Sequence, residues 1–183
     1  MSRKYTFKDT EHLYFVTMTT VFWVDVFTRN EYKDIVLGSI RYCSKEKELD
    51  VYGWVIMTNH VHMIVGTRGR PLSYIMRDLK KFTSIKIIEK IKENDKESRA
   101  QWMLRIFEWA GKKNTNNYNY QFWQQHSHPI QLDSDWKARQ KLEYIHQNPV
   151  RAGFVASPEE WLYSSAIDYY TKRKGLLEIK YLF

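Results

Sequence analysis

The spacing of apolar positions along the chain changes several times, and each change marks an element. Leu13–Phe22, "LYFVTMTTVF", is rich in β-branched and aromatic residues and predicts a strand. Beyond Thr28, which is placed to cap a helix, Tyr32, Ile35, Val36, Ile40 and Cys43 recur near helical spacing. "DVYGWVIMT" and "HVHMIVGT" predict two further strands that meet in a tight turn or bulge at Asn59. After Pro71, Ile75, Leu79, Phe82, Ile85 and Ile88 run along one face of an amphipathic helix. "ESRAQWMLRIFEWAGKK" predicts a shorter helix, "NTNNYNY" a polar loop and "YQFWQQHSHPIQL" a fourth strand. "SDWKARQKLEYIHQ" predicts the last main helix. Pro149 should stop it, because the residue before a proline avoids the helical region. One or two helical turns follow in "SPEEWLYSSAIDYY". No internal repeat, low-complexity tract or linker breaks this order. It reads as one domain over residues 1–183, in the order β-α-β-β-α-(α)-β-α. The fold class is α+β: a ferredoxin-like antiparallel sheet with helices packed on one face.

Composition narrows the function classes. Apolar residues make up 43% and aromatics 16% of the 183 residues, which excludes a disordered chain. Lys and Arg number 29 against 21 Asp and Glu, and the surplus of +8 favours a polyanionic partner. Cys43 is the single cysteine, so an internal disulfide and a cysteine-based zinc cluster are both excluded. No apolar run is long enough to span a membrane, and "MSRKYTFKDTEHL" lacks the apolar core of a signal peptide. The expectation is a soluble, cytoplasmic protein with no membrane partner.

The chemistry begins in "TNHVHMIV". Residues two apart on a strand share a face, so His60 and His62 project together while Val61 turns away. Neutral imidazole is the commonest metal ligand, and a divalent ion would offset the cost of two polar rings on an apolar strand. Both could equally be strand histidines satisfied by hydrogen bonds. Tyr144 and Asn148, in "EYIHQNPVRAG", are four apart and share one helix face. If that helix packs beside the histidine strand, the Asn148 amide oxygen offers a third ligand and the Tyr144 phenol stands next to the ion. Three protein ligands leave positions open, as catalytic sites do. A phenol, with an ordinary pKa of about 10, is a poor nucleophile at neutral pH, and its natural substrate beside a metal is a phosphodiester. The plainer readings are a half-buried helix tyrosine and an asparagine that shapes the turn before Pro149.

With "GWVIMTNHVHMIV", "LSYIMRDLKKFTS", "FWQQHSHPI", "YIHQNPVRAGFV" and "WLYSSA" together, most of the chain resembles the single-tyrosine HUH transposases of bacterial insertion sequences. The nearer likeness is to the branch of REP-associated tyrosine transposases. That resemblance implies a ferredoxin-like fold acting on single-stranded DNA beside a hairpin, with Mg or Mn. It also implies cleavage to a 5′-phosphotyrosine and a free 3′-hydroxyl. It makes His60 and His62 metal ligands, Tyr144 the nucleophile and Asn148 the Gln-or-Asn ligand. A monomer and a homodimer both agree with it. The alternatives are a domesticated, non-catalytic binder of hairpin or single-stranded DNA, and a replication or conjugation initiator, which usually carries further domains.

One departure is Gln125-His126-Ser127, where many relatives carry Arg residues and a Tyr. It creates a rival pair, His126 and His128, read here as a polar strand face that lacks a Tyr–Asn partner. His146 receives no role. Candidate DNA contacts are Arg68 and Arg70 after the histidine strand, Lys80 and Lys81 on the next helix, and Arg151 after the tyrosine. Trp123, Trp161 and Tyr163 are either base-stacking or core aromatics, whereas Tyr118 and Tyr120 sit where exposure is expected.

Overall fold

A computed structural model describes residues 12–113, 119–125 and 129–183. Its elements are β1 (Leu13–Thr19), α1 (Asn30–Glu46), β2 (Leu49–Ile56), β3 (His60–Thr67) and α2 (Leu72–Glu93). They continue with α3 (Ala100–Lys112), β4 (Ile130–Leu132), α4 (Asp135–Arg151) and α5 (Ala166–Tyr170). The strands form an antiparallel sheet in the order β2-β3-β1-β4. An α+β fold with an antiparallel sheet is therefore what the chain adopts.

The sheet has two buried faces. Val61, Met63 and Val65 of β3 join Tyr14, Val16 and Met18 of β1 in the larger core, closed by α1, α2 and α3 through Val36, Ile40, Leu79 and Phe107. Phe15, Val55 and Ile64 point the other way, onto Ala138, Leu142 and Ile145 of α4. Helices thus cover both faces and not one. The period-two pattern could not show this, because the strands are apolar on both sides. A Cβ on Gly53 would come within 2.6 Å of Leu142 Cδ1, so that glycine admits the close approach of α4 to β2. A bulge between Val51 and Gly53 marks the same place.

Several boundaries also move. β1 ends at Thr19, and tight 3-10 turns at Val21–Trp23 and Val26–Thr28 replace the end of the expected strand. Arg29, not Thr28, occupies the N-cap of α1, and the Thr28 hydroxyl instead accepts from Arg99 Nη2. The fourth strand shrinks to three residues, with Trp123 making a lone bridge to Thr20. Pro149 does not end α4 but lies inside it, buried. Its missing N–H falls in the final turn, where packing outweighs one lost backbone bond. Tyr144 and Asn148 therefore stay on one continuous helix.

Candidate active site

β3 begins immediately after the turn at Asn59, and this turn sets the first histidine. The Asn59 side chain donates to Asp25 Oδ1 at 3.0 Å, which orients its own Oδ1 toward His60 Nδ1 at 2.7 Å. His62 lies opposite Thr17 in the β1–β3 register, and Thr17 Oγ1 meets His62 Nδ1 at 2.8 Å. The Asn59 carbonyl oxygen accepts from His60 Nδ1, which leaves the lone pair on His60 Nε2, whereas the Thr17 hydroxyl suits either tautomer of His62. The two rings stand 4.6 Å apart. Phe15 stacks on His62 at 5.1 Å from behind.

α4 closes the site from the other side. Tyr144 sits edge-on to His62, ring centroids 5.3 Å apart, and to Phe15 at 6.0 Å. One turn later the Asn148 side chain comes close enough to the His60 imidazole to raise its pKa. Segments about eighty residues apart thus bring His60, His62, Tyr144 and Asn148 together on one sheet face. His62 is 6% exposed and Tyr144 37%, so the phenol faces solvent while the imidazoles lie beneath it.

Burial sets the charge state of the pair. It lowers the pKa of His60, against smaller raising effects of Asn148 and Asp25. It drives His62 down to about 3, helped by the neighbouring His60 and Lys141. Both rings are therefore neutral at pH 7, the state in which imidazole binds a metal. Among the described residues no group of three His, Cys, Asp or Glu side chains is placed to hold an ion; the Asn148 amide is a neutral oxygen donor beside His60. Two nitrogens and one amide oxygen fit a divalent transition ion such as Mn better than Mg, which prefers oxygen donors throughout.

The other predicted contacts scatter. Arg151 joins the site, its guanidinium 5.9 Å from the Tyr144 ring. Arg68 and Arg70 do not: six strand positions separate Arg68 from His62, roughly 20 Å, at the far end of β3. Arg68 pairs there with Asp50 at 3.3 Å. Lys80 is half-buried and donates to the Gln124 carbonyl at 2.8 Å, and desolvation lowers its pKa to about 8. Lys81 is exposed on α2. Trp123 is core, stacked on Phe27 with its indole N–H on Thr83. Trp161 donates to the Ile56 carbonyl, Tyr163 to Asp34, and Tyr120 packs against the core beneath Lys92. His146 is 1% exposed and bonded to Ser165 Oγ at 2.9 Å, a structural role. Tyr118, His126 and His128 lie outside the described residues.

Sequence reasoning missed three contributors. Lys141 sets its ammonium 4.9 Å from the Phe15 ring and 5.5 Å from that of Tyr144. Its spacing, three before Tyr144, could have revealed it. Thr17 needed the strand register. Trp23, exposed and 6.0 Å from the His60 ring, follows directly on the expected first strand and carried no motif of its own.

A family model described as "Transposase IS200 like" matches residues 10–110. That stretch holds His60 and His62 but stops short of Tyr144 and Asn148. Among curated proteins none matches the chain. A solved structure of a REP-associated tyrosine transposase bound to a REP hairpin aligns with a TM-score of 0.65 and 16% identity. The alignment covers 100% of this chain and 94% of that one, so the likeness in fold includes the tyrosine helix. Among the described residues no helix is long and apolar enough to cross a membrane.

Proposed function

Since the chain belongs to the IS200-like transposases, we propose that it cuts and rejoins single-stranded DNA beside a hairpin through a covalent bond to Tyr144. The observation that carries this reading is the meeting of Tyr144 and Asn148 with His60 and His62 on one face. His60, His62 and Asn148 would hold a divalent ion, Mn or Mg. Such an ion supplies a Lewis acid that polarises a phosphoryl oxygen and offsets the charge gathering on the phosphate.

The chain's own groups do the rest. The Tyr144 oxygen bonds to phosphorus as the bond to the 3′-oxygen breaks; the phenol proton passes to solvent and the leaving oxygen takes one up. The products are a 5′-phosphotyrosine and a free 3′-hydroxyl, and the reverse attack rejoins a strand without a further energy source. The stacked Phe15 and His62 rings both meet the Tyr144 ring edge-on and support it. Lys141 and Arg151 flank it with positive charge, which favours an incoming phosphate. The net charge of +8 and the hairpin bound by the structural relative support a structured DNA substrate.

The test is an end-labelled oligonucleotide carrying a hairpin and an unpaired flank. Cleavage should need Mn or Mg, stop in chelator and vanish in Tyr144→Phe, whose hairpin binding should stay within a few-fold. A wild-type protein that binds the hairpin tightly yet never cuts any flank, with either metal, would refute the enzyme and leave a non-catalytic binder.

A further inference from the structure

Between β1 and α1 the sequence "VFWV" inverts the usual order of burial. Val21 and Val24 are each 4% exposed, whereas Phe22 and Trp23 between them are 56% and 58% exposed. Both aromatics have positive φ, 54° and 56°, a left-handed conformation that bulky side chains rarely adopt. The surroundings hold them there. Thr20 Oγ1 donates to the Val24 carbonyl at 2.8 Å, and Asn59 Nδ2 reaches both the Trp23 carbonyl and Asp25. That asparagine is the residue that orients His60. A strained turn that displays two large rings to water, tied to the reaction centre by one amide, serves no purpose in packing.

The rings continue onto α3. Phe22 lies 5.1 Å from Trp109, which is 49% exposed and carries Lys113 Nζ 3.5 Å above its ring. Trp102, Arg105 and Trp109 follow at helical spacing on the same outer face, opposite the buried Met103 and Phe107. Arg99 and Glu97 fix this helix against the turn: Arg99 donates to the Asp25 carbonyl at 2.7 Å, and Arg29 joins Glu97 at 2.8 Å. Starting at His60, the surface therefore reads Trp23, Phe22, Trp109, Trp102, with cations interleaved.

We propose that these four rings form a stacking track for the unpaired strand beside the scissile phosphate, with Arg105 and Lys113 meeting its backbone. Aromatic faces alternating with cations bind single strands without regard to sequence, because every base has a π-face. The cations beside these rings match a polyanionic strand, which the net charge of +8 also favours. The direction of the track rests on the reaction proposed above; its capacity to bind a strand does not.

The experiment measures binding of a fluorescent oligothymidylate and of a blunt hairpin without a tail, both in chelator so that no cleavage enters. Trp109→Ala and Trp102→Ala should each weaken oligothymidylate binding about fivefold or more, while blunt-hairpin affinity is unchanged. Trp109→Phe should recover most of the loss. Lys113→Gln should flatten the salt slope by about 0.7. Trp102 lies away from the strained turn, so its variant reports on the track even where a turn variant unfolds. Unchanged oligothymidylate binding in both alanine variants overturns the track. So does a self-association of the wild type that Trp109→Ala abolishes, since it would assign the face to a second copy. Cleavage that persists with tail binding indifferent to these rings removes the track and keeps the reaction; weakened tail binding in a protein that never cuts does the reverse.

Discussion

Val61, Met63 and Val65 lie on one face of β3 and are 0% exposed, closed over by α1, α2 and α3. His60, His62 and Ile64 lie on the other, under a single helix. The first face is uniformly apolar, and its burial holds the sheet to its helices. The second is apolar where Phe15, Val55 and Ile64 meet Leu142 and Ile145. Toward the Asn59 turn it gives way to Thr17, His60 and His62, imidazoles that cost free energy to bury and need the hydrogen bonds of Thr17 and Asn59 to offset that cost. The same strand thus supplies stability on one side and chemistry on the other.

Adjacent residues break that comparison most sharply. Met63→Ala should lose about 2–5 kcal/mol of stability, with cleavage falling only as the folded fraction falls. His62→Ala should abolish Mn-dependent cleavage and Mn binding while costing about 1 kcal/mol. Denaturant melts beside cleavage assays separate the two, and matching profiles would erase the division between faces.

Asn148 sharpens it from the helix side. Asn148→Ala should weaken Mn affinity and slow cleavage with little change in DNA binding, and Asn148→Gln should recover part of both. A stability loss of about 1 kcal/mol with unchanged metal dependence, unrescued by Gln, would reduce Asn148 to a helix-end residue.

The remaining effect is in pH. Folded His62 and His146 have pKa values of about 3 and about 4, below the ordinary imidazole value of 6.5. As pH falls below 6.5 the unfolded chain takes up protons first, so stability is full above that value and declines down to the two folded pKa values. Melting temperature in chelator should therefore fall steadily from neutral pH toward about 4, and less steeply in His146→Gln. A flat profile would contradict the buried, neutral state of these rings.

The core of the site was legible because two of its spacings translate directly into geometry: two residues on a strand, four on a helix. Which face α4 covers was not legible, since Phe15, Val55 and Ile64 are as apolar as their neighbours on the opposite side. Arg68 and Arg70 misled because nearness in sequence along an extended strand becomes distance in space. Pro149 misled because a local rule against helix lost to the packing of a last turn. Of its two expected roles Trp123 takes the core one, while Trp23 had no expected role. The first reaches Thr83 in the core, and the second is turned out by a positive φ that no periodicity encodes. Lys141 lay at readable spacing from Tyr144, yet only the packing of Phe15 shows where its charge is felt.

The central claim is that this histidine face and the tyrosine helix make one reaction centre, and tandem mass spectrometry of the covalent protein–DNA adduct tests it most directly. After incubation with Mn and the hairpin substrate, the account predicts a single modified peptide from α4 with the nucleotide remnant on the Tyr144 oxygen. An adduct on Tyr163, Tyr170 or any other tyrosine would contradict it, as would efficient cleavage by Tyr144→Phe.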